Sequence, residues 1–306
     1  MNNGWPNFII PGAGKSGTSS LAAYLSQHPD IFISKPKEPT FFTYADAHPE
    51  FNSPDKFHIQ IISDQQKYKA IFSKSGECKA IGEASTYYLA LPDQTIRNIK
   101  RFITGYELLK VIIILRNPIE RAFSNYMMFV MNGWEKLSFR EAISQEVISN
   151  RLANGWSPSY DYLGEGMYSY QVRAYLDAFK DVRVYLYDDL QKDTMALLSD
   201  IFSFLQVDAS FAPDIGLKLN ASGLPKNKLL QRILNTDNPV RTLVKSALKL
   251  MATDQQRAAI KERLRSANMK REVISPEDRD YLLEYYRQDI DNLASIIRRD
   301  LSDWAK

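Results

Sequence analysis

The sequence predicts an α/β fold, a central parallel β-sheet flanked by helices, with a helical part at the C-terminal end. Apolar runs of strand length alternate with helical patterns, as in folds whose helices cover both faces of a parallel sheet. Residues 111–115 are apolar without polar alternation, which is typical of a strand buried on both faces. Beyond Asp193 the pattern is helical. We therefore expect one domain over 1–306, with an α/β core at about 5–205 and a helical part at about 206–306.

Each strand and each helix is predicted from its own stretch of the sequence. The expected strands are residues 8–11, 31–34, 80–83, 108–115 and 182–187. Helical spacing predicts helices over 18–27, 64–72, 93–102, 119–131, 139–150 and 168–179. Two longer helices are expected at 254–268 and 276–300. The second of them has Ser275 as its N-cap and Pro276 at its first position, a pairing that is typical of a helix start.

Composition limits the class of protein. Of 306 residues, 44% are hydrophobic and 25% are charged, which is ordinary for a globular protein with a core. A net charge of +3 does not by itself indicate nucleic-acid binding. No signal peptide is expected, and no apolar run approaches the roughly 18 residues of a membrane span. Cys78 is the only cysteine, so an intrachain disulfide is excluded and a reducing compartment is favoured. The expectation is a cytoplasmic protein without membrane or nucleic-acid partners, and no oligomeric state is predicted.

Residues 226–271 carry twelve Lys or Arg against three acidic residues. Two interpretations stay open for this segment. It is either a solvated helical surface or a positive rim that attracts an anionic acceptor or cosubstrate.

The most informative segment is residues 8–21, which predicts a strand, a P-loop-like turn of small residues around Lys15, and a helix start rich in hydroxyls. In this geometry, free backbone N–H groups, the positive end of the helix dipole and the lysine ammonium converge on one point. The segment therefore predicts a site for a phosphate or sulfate group. The candidate residues are Lys15, Ser16, Gly17, Thr18, Ser19 and Ser20.

The loop departs from the nucleoside triphosphate motif G-x-x-x-x-G-K-[ST]. Its first glycine is due at position 9, where the chain has Ile9. A kinase also needs a metal-holding acidic residue after an apolar strand, whereas the strongest strand here is followed by Arg116. A P-loop nucleotide kinase with a degenerate Walker A loop remains the alternative enzyme. A nucleotide-binding regulatory module without turnover is a third possibility.

Separated segments carry a family resemblance. They are residues 15–21 with 25–29, residues 35–42, residues 115–126, Gly166-Met167-Tyr168, and the ending 299–304. Residues 115–126 fit the pattern L-R-[ND]-P-x-x-R-x-x-S-x-Y, and residues 37–42 fit K-E-x-x-F-F. In these segments the chain resembles the sulfotransferases that use 3′-phosphoadenosine 5′-phosphosulfate (PAPS), especially their bacterial and heparan-type branch.

The resemblance implies transfer of a sulfuryl group from PAPS to a hydroxyl or amine of a small-molecule or glycan acceptor. The product is adenosine 3′,5′-bisphosphate, and no metal is implied. One cysteine and three scattered histidines likewise offer no metal-ligand spacing. The resemblance also implies that Glu38 is the general base and that Lys15 neutralises the charge on the leaving phosphate.

The remaining nucleotide contacts would come from later segments. Arg116 offers a planar fork to the 3′-phosphate and Ser124 adds a hydroxyl, although an ion pair of Arg116 with Glu120 is the ordinary alternative. Tyr168 and Lys226 are weaker candidates near the nucleotide. The candidate acceptor contacts are Lys37, His48, His58, Glu83, Ser85 and Tyr87. The Lys-x-Pro string of the heparan-type branch is absent at residues 84–86, so heparan specificity does not transfer.

Overall fold

The computed structural model describes residues 4–216, 224–225, 269–270 and 272–305. The predicted helix 254–268, most of the basic segment 226–271 and the candidate Lys226 lie outside the described residues.

The predicted parallel sheet is confirmed. Its strands are β1 Phe8–Gly12, β2 Ile31–Ile33, β3 Ala80–Ala84, β4 Lys110–Leu115 and β5 Val182–Leu186. They lie in the order β2-β3-β1-β4-β5, and every neighbouring pair is parallel. Phe8 pairs with Gly82 on one side and with Lys110 on the other. Gly82 is required there, because a Cβ at this position would lie 2.4 Å from the Phe8 ring. A short antiparallel pair, β6 Leu224–Pro225 and β7 Met269–Lys270, lies apart from this sheet.

Helices connect and cover the strands. Over the described ranges they are α1 Thr18–Leu25, α2 Phe41–Tyr44, α3 Gln65–Ala70, α4 Tyr87–Ala90, α5 Pro92–Phe102, α6 Pro118–Asn132, α7 Phe139–Ala142, α8 Gln145–Ala153, α9 Tyr168–Ala178, α10 Tyr187–Lys192, α11 Thr194–Leu205 and α12 Pro276–Ile297. As predicted, α12 begins after Ser275, whose side chain accepts a hydrogen bond from the Asp278 amide. Short 3-10 turns at Phe57–Gln60 and Gly164–Gly166 carry residues of the site described below.

The predicted helix 139–150 is wrong as a single element. It is divided into α7 and α8, because each half has a serine cap of its own. Ser138 forms a capping box with Glu141 at the start of α7, and Ser144 accepts a hydrogen bond from the Val147 amide at the start of α8.

Two apolar layers cover the sheet. Alternate residues of β4 face opposite sides: Val111 and Ile113 pack with α5, α9 and α12, while Ile112 and Ile114 pack with α1 and α11. All four side chains are fully buried. The carboxyl ends of β1, β3 and β4 therefore meet at one sheet edge, where the loops after them converge. None of the described helices is long and apolar enough to cross a membrane.

Candidate active site

A cavity of about 420 Å³ opens at this carboxyl edge. Its walls come from the turn after β1, the loop after β2, the turn after β3 and the β4–α6 connection. These are the positions at which open parallel sheets bind ligands, since the strand order changes direction there. Lys15, Glu38 and Arg116, three of the sequence-predicted site residues, line this one cavity.

The start of α1 forms one wall of the cavity. Gly17 is its N-cap residue with φ of 90°, in the left-handed region that glycine adopts without strain. A Cβ at Gly17 would also lie 3.0 Å from the Tyr187 ring. No side chain caps α1, so the amide groups of its first turn (Thr18, Ser19 and Ser20) are available to a ligand. This wall is therefore suited to an anion.

Lys15 lies at the same wall, with its ammonium largely buried. Burial and the neighbouring Arg116 lower its pKa from 10.5 to about 8, although Glu38 opposes this shift. Its Nζ donates to the thioether sulfur of Met128 at 3.4 Å, and it forms no ion pair within the described ranges. A buried cation beside a second cation, with a weak acceptor as its partner, favours the binding of an anion.

Arg116 follows β4 and lines the cavity next to Lys15. Together with Ser124, Lys15 and the first-turn amides of α1 it forms what we call the anion wall. Its guanidinium lies 5.2 Å from the Tyr187 ring centroid, and its Nη1 donates to the Lys15 carbonyl at 3.4 Å. The expected alternative partner, Glu120, is present but at 3.5 Å, and the same carboxylate accepts from Arg279 at 3.1 Å. Arg116 therefore shares Glu120 with a closer arginine. Ser124, two turns into α6, lines the cavity beside it.

Glu38 enters the cavity from the loop after β2. Its φ of 58° is in the left-handed region, which is uncommon for a residue with a Cβ. Its amide donates to the Ala84 carbonyl at 3.1 Å, and its carboxylate accepts from the Lys37 ammonium and from Thr86 Oγ1 at 3.3 Å. Lys37 thus contacts Glu38 directly but does not line the cavity itself.

Aromatic side chains form a further part of the cavity lining. The rings of Phe57 and Tyr87 stack with centroids 4.4 Å apart and planes at 2°. The Tyr87 hydroxyl is fixed by Ser157 Oγ at 2.6 Å and Ser159 Oγ at 2.7 Å. Trp134 contributes a third ring to the lining. The predicted acceptor residue Tyr87 is thus in the cavity, whereas Phe57 and Trp134 carried no sequence signal.

Glu165 is a cavity residue that the sequence analysis missed. It pairs with the fully buried Arg121 at 2.7 Å. Burial raises the pKa of Glu165 to about 7, against the lowering effect of Arg121. The sequence did contain a signal for such a residue. Arg121 is the second arginine of the motif at 115–126, and an arginine buried there needs an anionic partner.

Other predicted residues lie around the cavity rather than in its wall. Ser16 and Tyr168 are fully buried behind the turn, and burial raises the pKa of Tyr168 to about 12 against the lowering effect of Arg121. Glu83 and Ser85 are fully buried beneath the Glu38 loop. His48 is exposed near Ser63, and His58 Nδ1 accepts from the Phe51 amide at 3.3 Å. The roles predicted for these residues stay predictions.

The described ranges contain no group of three His, Cys, Asp or Glu residues that could hold a metal ion. His28 is buried, its ring contacts those of Phe202 and Phe211, and its Nε2 lies 3.1 Å from the Asp208 carbonyl oxygen.

Comparisons with known proteins agree on one family. The model of the sulfotransferase family matches residues 6–211. A crystal structure of a sulfotransferase from Alicyclobacillus acidocaldarius is 30% identical, covers 99% of both chains and superposes with a TM-score of 0.74. The membrane-associated sulfotransferase kil1 of Dictyostelium discoideum is 31% identical over 121 residues, which is 40% of this chain. The match spans 22% of the length of that relative.

Proposed function

Because the chain belongs to the sulfotransferase family, we propose that it transfers the sulfuryl group of PAPS to a hydroxyl or amine of a small-molecule or glycan acceptor, with Glu38 as general base. The observation that carries this proposal is the pair of cationic side chains, Lys15 and Arg116, at the uncapped start of α1. The predicted cytoplasmic location is part of the same proposal.

The residues of the anion wall fit a nucleotide with phosphate groups at two positions. The first-turn amides of α1 and the Lys15 ammonium would hold the 5′-phosphosulfate end. Arg116 and Ser124, on the neighbouring strand end and helix, would hold the 3′-phosphate. The mutual repulsion of Lys15 and Arg116, which helps to lower the Lys15 pKa, would be relieved by these anionic groups.

When bound, PAPS supplies a sulfuryl group on a phosphate leaving group, and negative charge builds on the leaving oxygen in a loose transition state. In this proposal Lys15 would neutralise that charge as it develops. Glu38 would take the proton of the acceptor as the acceptor oxygen or nitrogen bonds to sulfur. The stacked rings of Phe57 and Tyr87 would orient a small acceptor between them and the anion wall.

The kinase alternative is not favoured. Ile9 occupies the position of the first P-loop glycine, and Arg116 follows the strand after which a kinase carries an acidic residue. The family match over residues 6–211 points the same way.

Calorimetric titration tests the nucleotide part of the proposal. Adenosine 3′,5′-bisphosphate should bind tightly, and EDTA should leave its affinity unchanged. ATP with Mg²⁺ should bind more weakly. Firm binding of ATP·Mg²⁺ together with no binding of the bisphosphate would overturn the proposal. Incubation with ³⁵S-labelled PAPS and a panel of phenols, amines and glycans then identifies the acceptor.

Arg116→Ala is expected to weaken adenosine 3′,5′-bisphosphate binding about 10- to 100-fold, the loss expected for charged hydrogen bonds worth about 1.5–3 kcal/mol. Adenosine 5′-phosphate, which lacks the 3′-phosphate, serves as the comparison ligand, and its affinity should change by less than about threefold. Equal losses for both nucleotides would show that Arg116 does not recognise the 3′-phosphate.

A further inference from the structure

Glu83, near the end of β3, is a buried carboxylate. Its side chain is fully buried, and no Lys or Arg in the described part of the chain forms an ion pair with it. Three hydroxyls donate to it instead: Tyr68 at 2.6 Å and Tyr88 to Oε1, and Ser85 at 2.6 Å to Oε2. Burying a carboxylate without a cation is unfavourable. We therefore looked for a function that the buried Glu83 side chain could serve.

Two of these hydroxyls also accept backbone N–H groups of the segment 38–42, which comprises the loop that carries Glu38 and the start of α2. The Thr40 amide donates to Ser85 Oγ at 3.1 Å, and the Phe42 amide donates to Tyr88 Oη at 3.2 Å. The loop has left-handed backbone at both Glu38 and Thr40, with φ of 58° and 56°. Such a conformation persists only when its surroundings hold it in place.

We infer that Glu83 is a positioning residue for the general base, and that it fixes the Glu38 loop through the hydroxyls of Ser85 and Tyr88. The inference rests on the proposed role of Glu38. A hydroxyl has a single proton, and an ionised carboxylate can only accept. Glu83 therefore orients both hydroxyl protons toward itself, which leaves the hydroxyl oxygens free to accept the two loop amides. Charge also makes these hydrogen bonds stronger than neutral ones.

Tyr68 provides a matched control. Its hydroxyl donates to the same Oε1 atom as that of Tyr88 and is equally buried. The hydrogen bonds of the described residues show no loop amide donating to it. Tyr68→Phe and Tyr88→Phe thus remove the same chemical group from the same carboxylate, but only the second removes a contact to the loop.

Hydrogen exchange of the segment 38–44 measures the loop directly and needs no turnover. At pH 8, above the value of about 7 to which burial raises the pKa of Glu83, the Phe42 amide should exchange at least tenfold faster in Tyr88→Phe than in Tyr68→Phe. Ser85→Ala should act in the same way on the Thr40 amide. Equal exchange in Tyr68→Phe and Tyr88→Phe would overturn the inference. Glu83→Gln should accelerate at least one of the two amides, since the side-chain nitrogen of the introduced glutamine replaces one of the two carboxylate oxygens and cannot accept a hydroxyl proton.

Turnover separates this inference from the proposed function. Tyr88→Phe and Ser85→Ala should lower kcat about 10- to 100-fold, as expected for a displaced reacting group, with unchanged affinity for adenosine 3′,5′-bisphosphate. Tyr68→Phe should lower kcat less than twofold. In a Glu38→Gln background, Ser85→Ala should have no further effect on kcat. Normal turnover of Glu38→Gln would contradict the proposed base. If Glu38→Gln instead has low turnover while Ser85→Ala and Tyr88→Phe have normal turnover, only the positioning role of Glu83 is contradicted.

Discussion

Lys15→Met is expected to remove most binding of adenosine 3′,5′-bisphosphate and to lower kcat about 10²- to 10³-fold, the usual effect of losing one group that stabilises charge in the transition state. The same change should stabilise the free protein. Lys15 is a largely buried cation next to Arg116, and methionine keeps its length and apolar stem beside Met128 without the charge. We expect the free energy of unfolding to rise by about 1–3 kcal/mol, since each unit of pKa shift corresponds to about 1.4 kcal/mol.

Chemical denaturation and calorimetric titration of the same samples test both effects. Lys67→Met is the matched control, because Lys67 is exposed on α3 and should change stability by less than about 0.5 kcal/mol. Loss of affinity together with loss of stability would indicate damage to the fold rather than removal of a functional charge.

The lowered pKa of Lys15 adds a pH dependence with a definite sign. Between pH 8 and 10.5 the folded protein has released the Lys15 proton while the unfolded chain keeps it, so stability rises with pH in this window. The stability advantage of Lys15→Met should therefore shrink as the pH rises through 8. Nucleotide affinity of the wild type should fall over the same range, because binding must then restore the proton. An affinity that is flat between pH 7 and 10 would rule out a role for the Lys15 charge.

Glu38→Gln is expected to lower kcat about 10²- to 10⁴-fold, the range for loss of a general base. Glutamine preserves the shape of the side chain and can still accept from Thr86, so the loop should keep its conformation. Affinity for adenosine 3′,5′-bisphosphate should stay within about twofold of wild type, since Glu38 is not placed among the anion-wall residues. Steady-state rates with the acceptor found by the PAPS screen give the measurement.

Lys37→Met separates the base from its ion-pair partner. The Lys37 ammonium donates to the Glu38 carboxylate, and it competes with the acceptor proton for the same oxygen atom. If Glu38 is the base, this variant should keep a much higher kcat than Glu38→Gln, because its carboxylate remains available to the acceptor proton. Equal turnover in wild type and Glu38→Gln would require another base.

The elements that could be predicted are those whose structure is determined by residues close together in the sequence. The strand at 110–115 is apolar throughout after its first residue, and the start of α12 has both a serine cap and a first-turn proline. Lys15 and Arg116 follow their strands closely, so the parallel sheet itself brings them to one edge. The division between α7 and α8 was missed because apolar spacing continues across it, while the Ser144 cap decides the local hydrogen bonding.

Residues joined only by tertiary contacts were beyond the sequence analysis. Phe57 stacks on Tyr87, which follows it by about thirty residues in the chain. No periodic pattern in the sequence predicts that these two rings are in contact. Glu165 reaches Arg121 over a separation of 44 residues, and its place in the wall depends on how the turn before α9 packs on α6. Glu83 was predicted as an acceptor contact from its place at the end of a strand, and that role stays a prediction. Its hydrogen bonds from Tyr68 and Tyr88 beneath the loop depend on tertiary contacts that the sequence does not show.

The central position of β1 in the sheet has a consequence for how the chain folds during its synthesis. β1 precedes both of its neighbours in the chain, strands β3 and β4, which end at residues 84 and 115. The two backbone edges of β1 are therefore paired only after the chain has been synthesised to residue 84 on one side and to residue 115 on the other. Long-range pairing of this kind slows folding, so the segment from β1 to β4 is expected to be prone to aggregation until β4 has been synthesised.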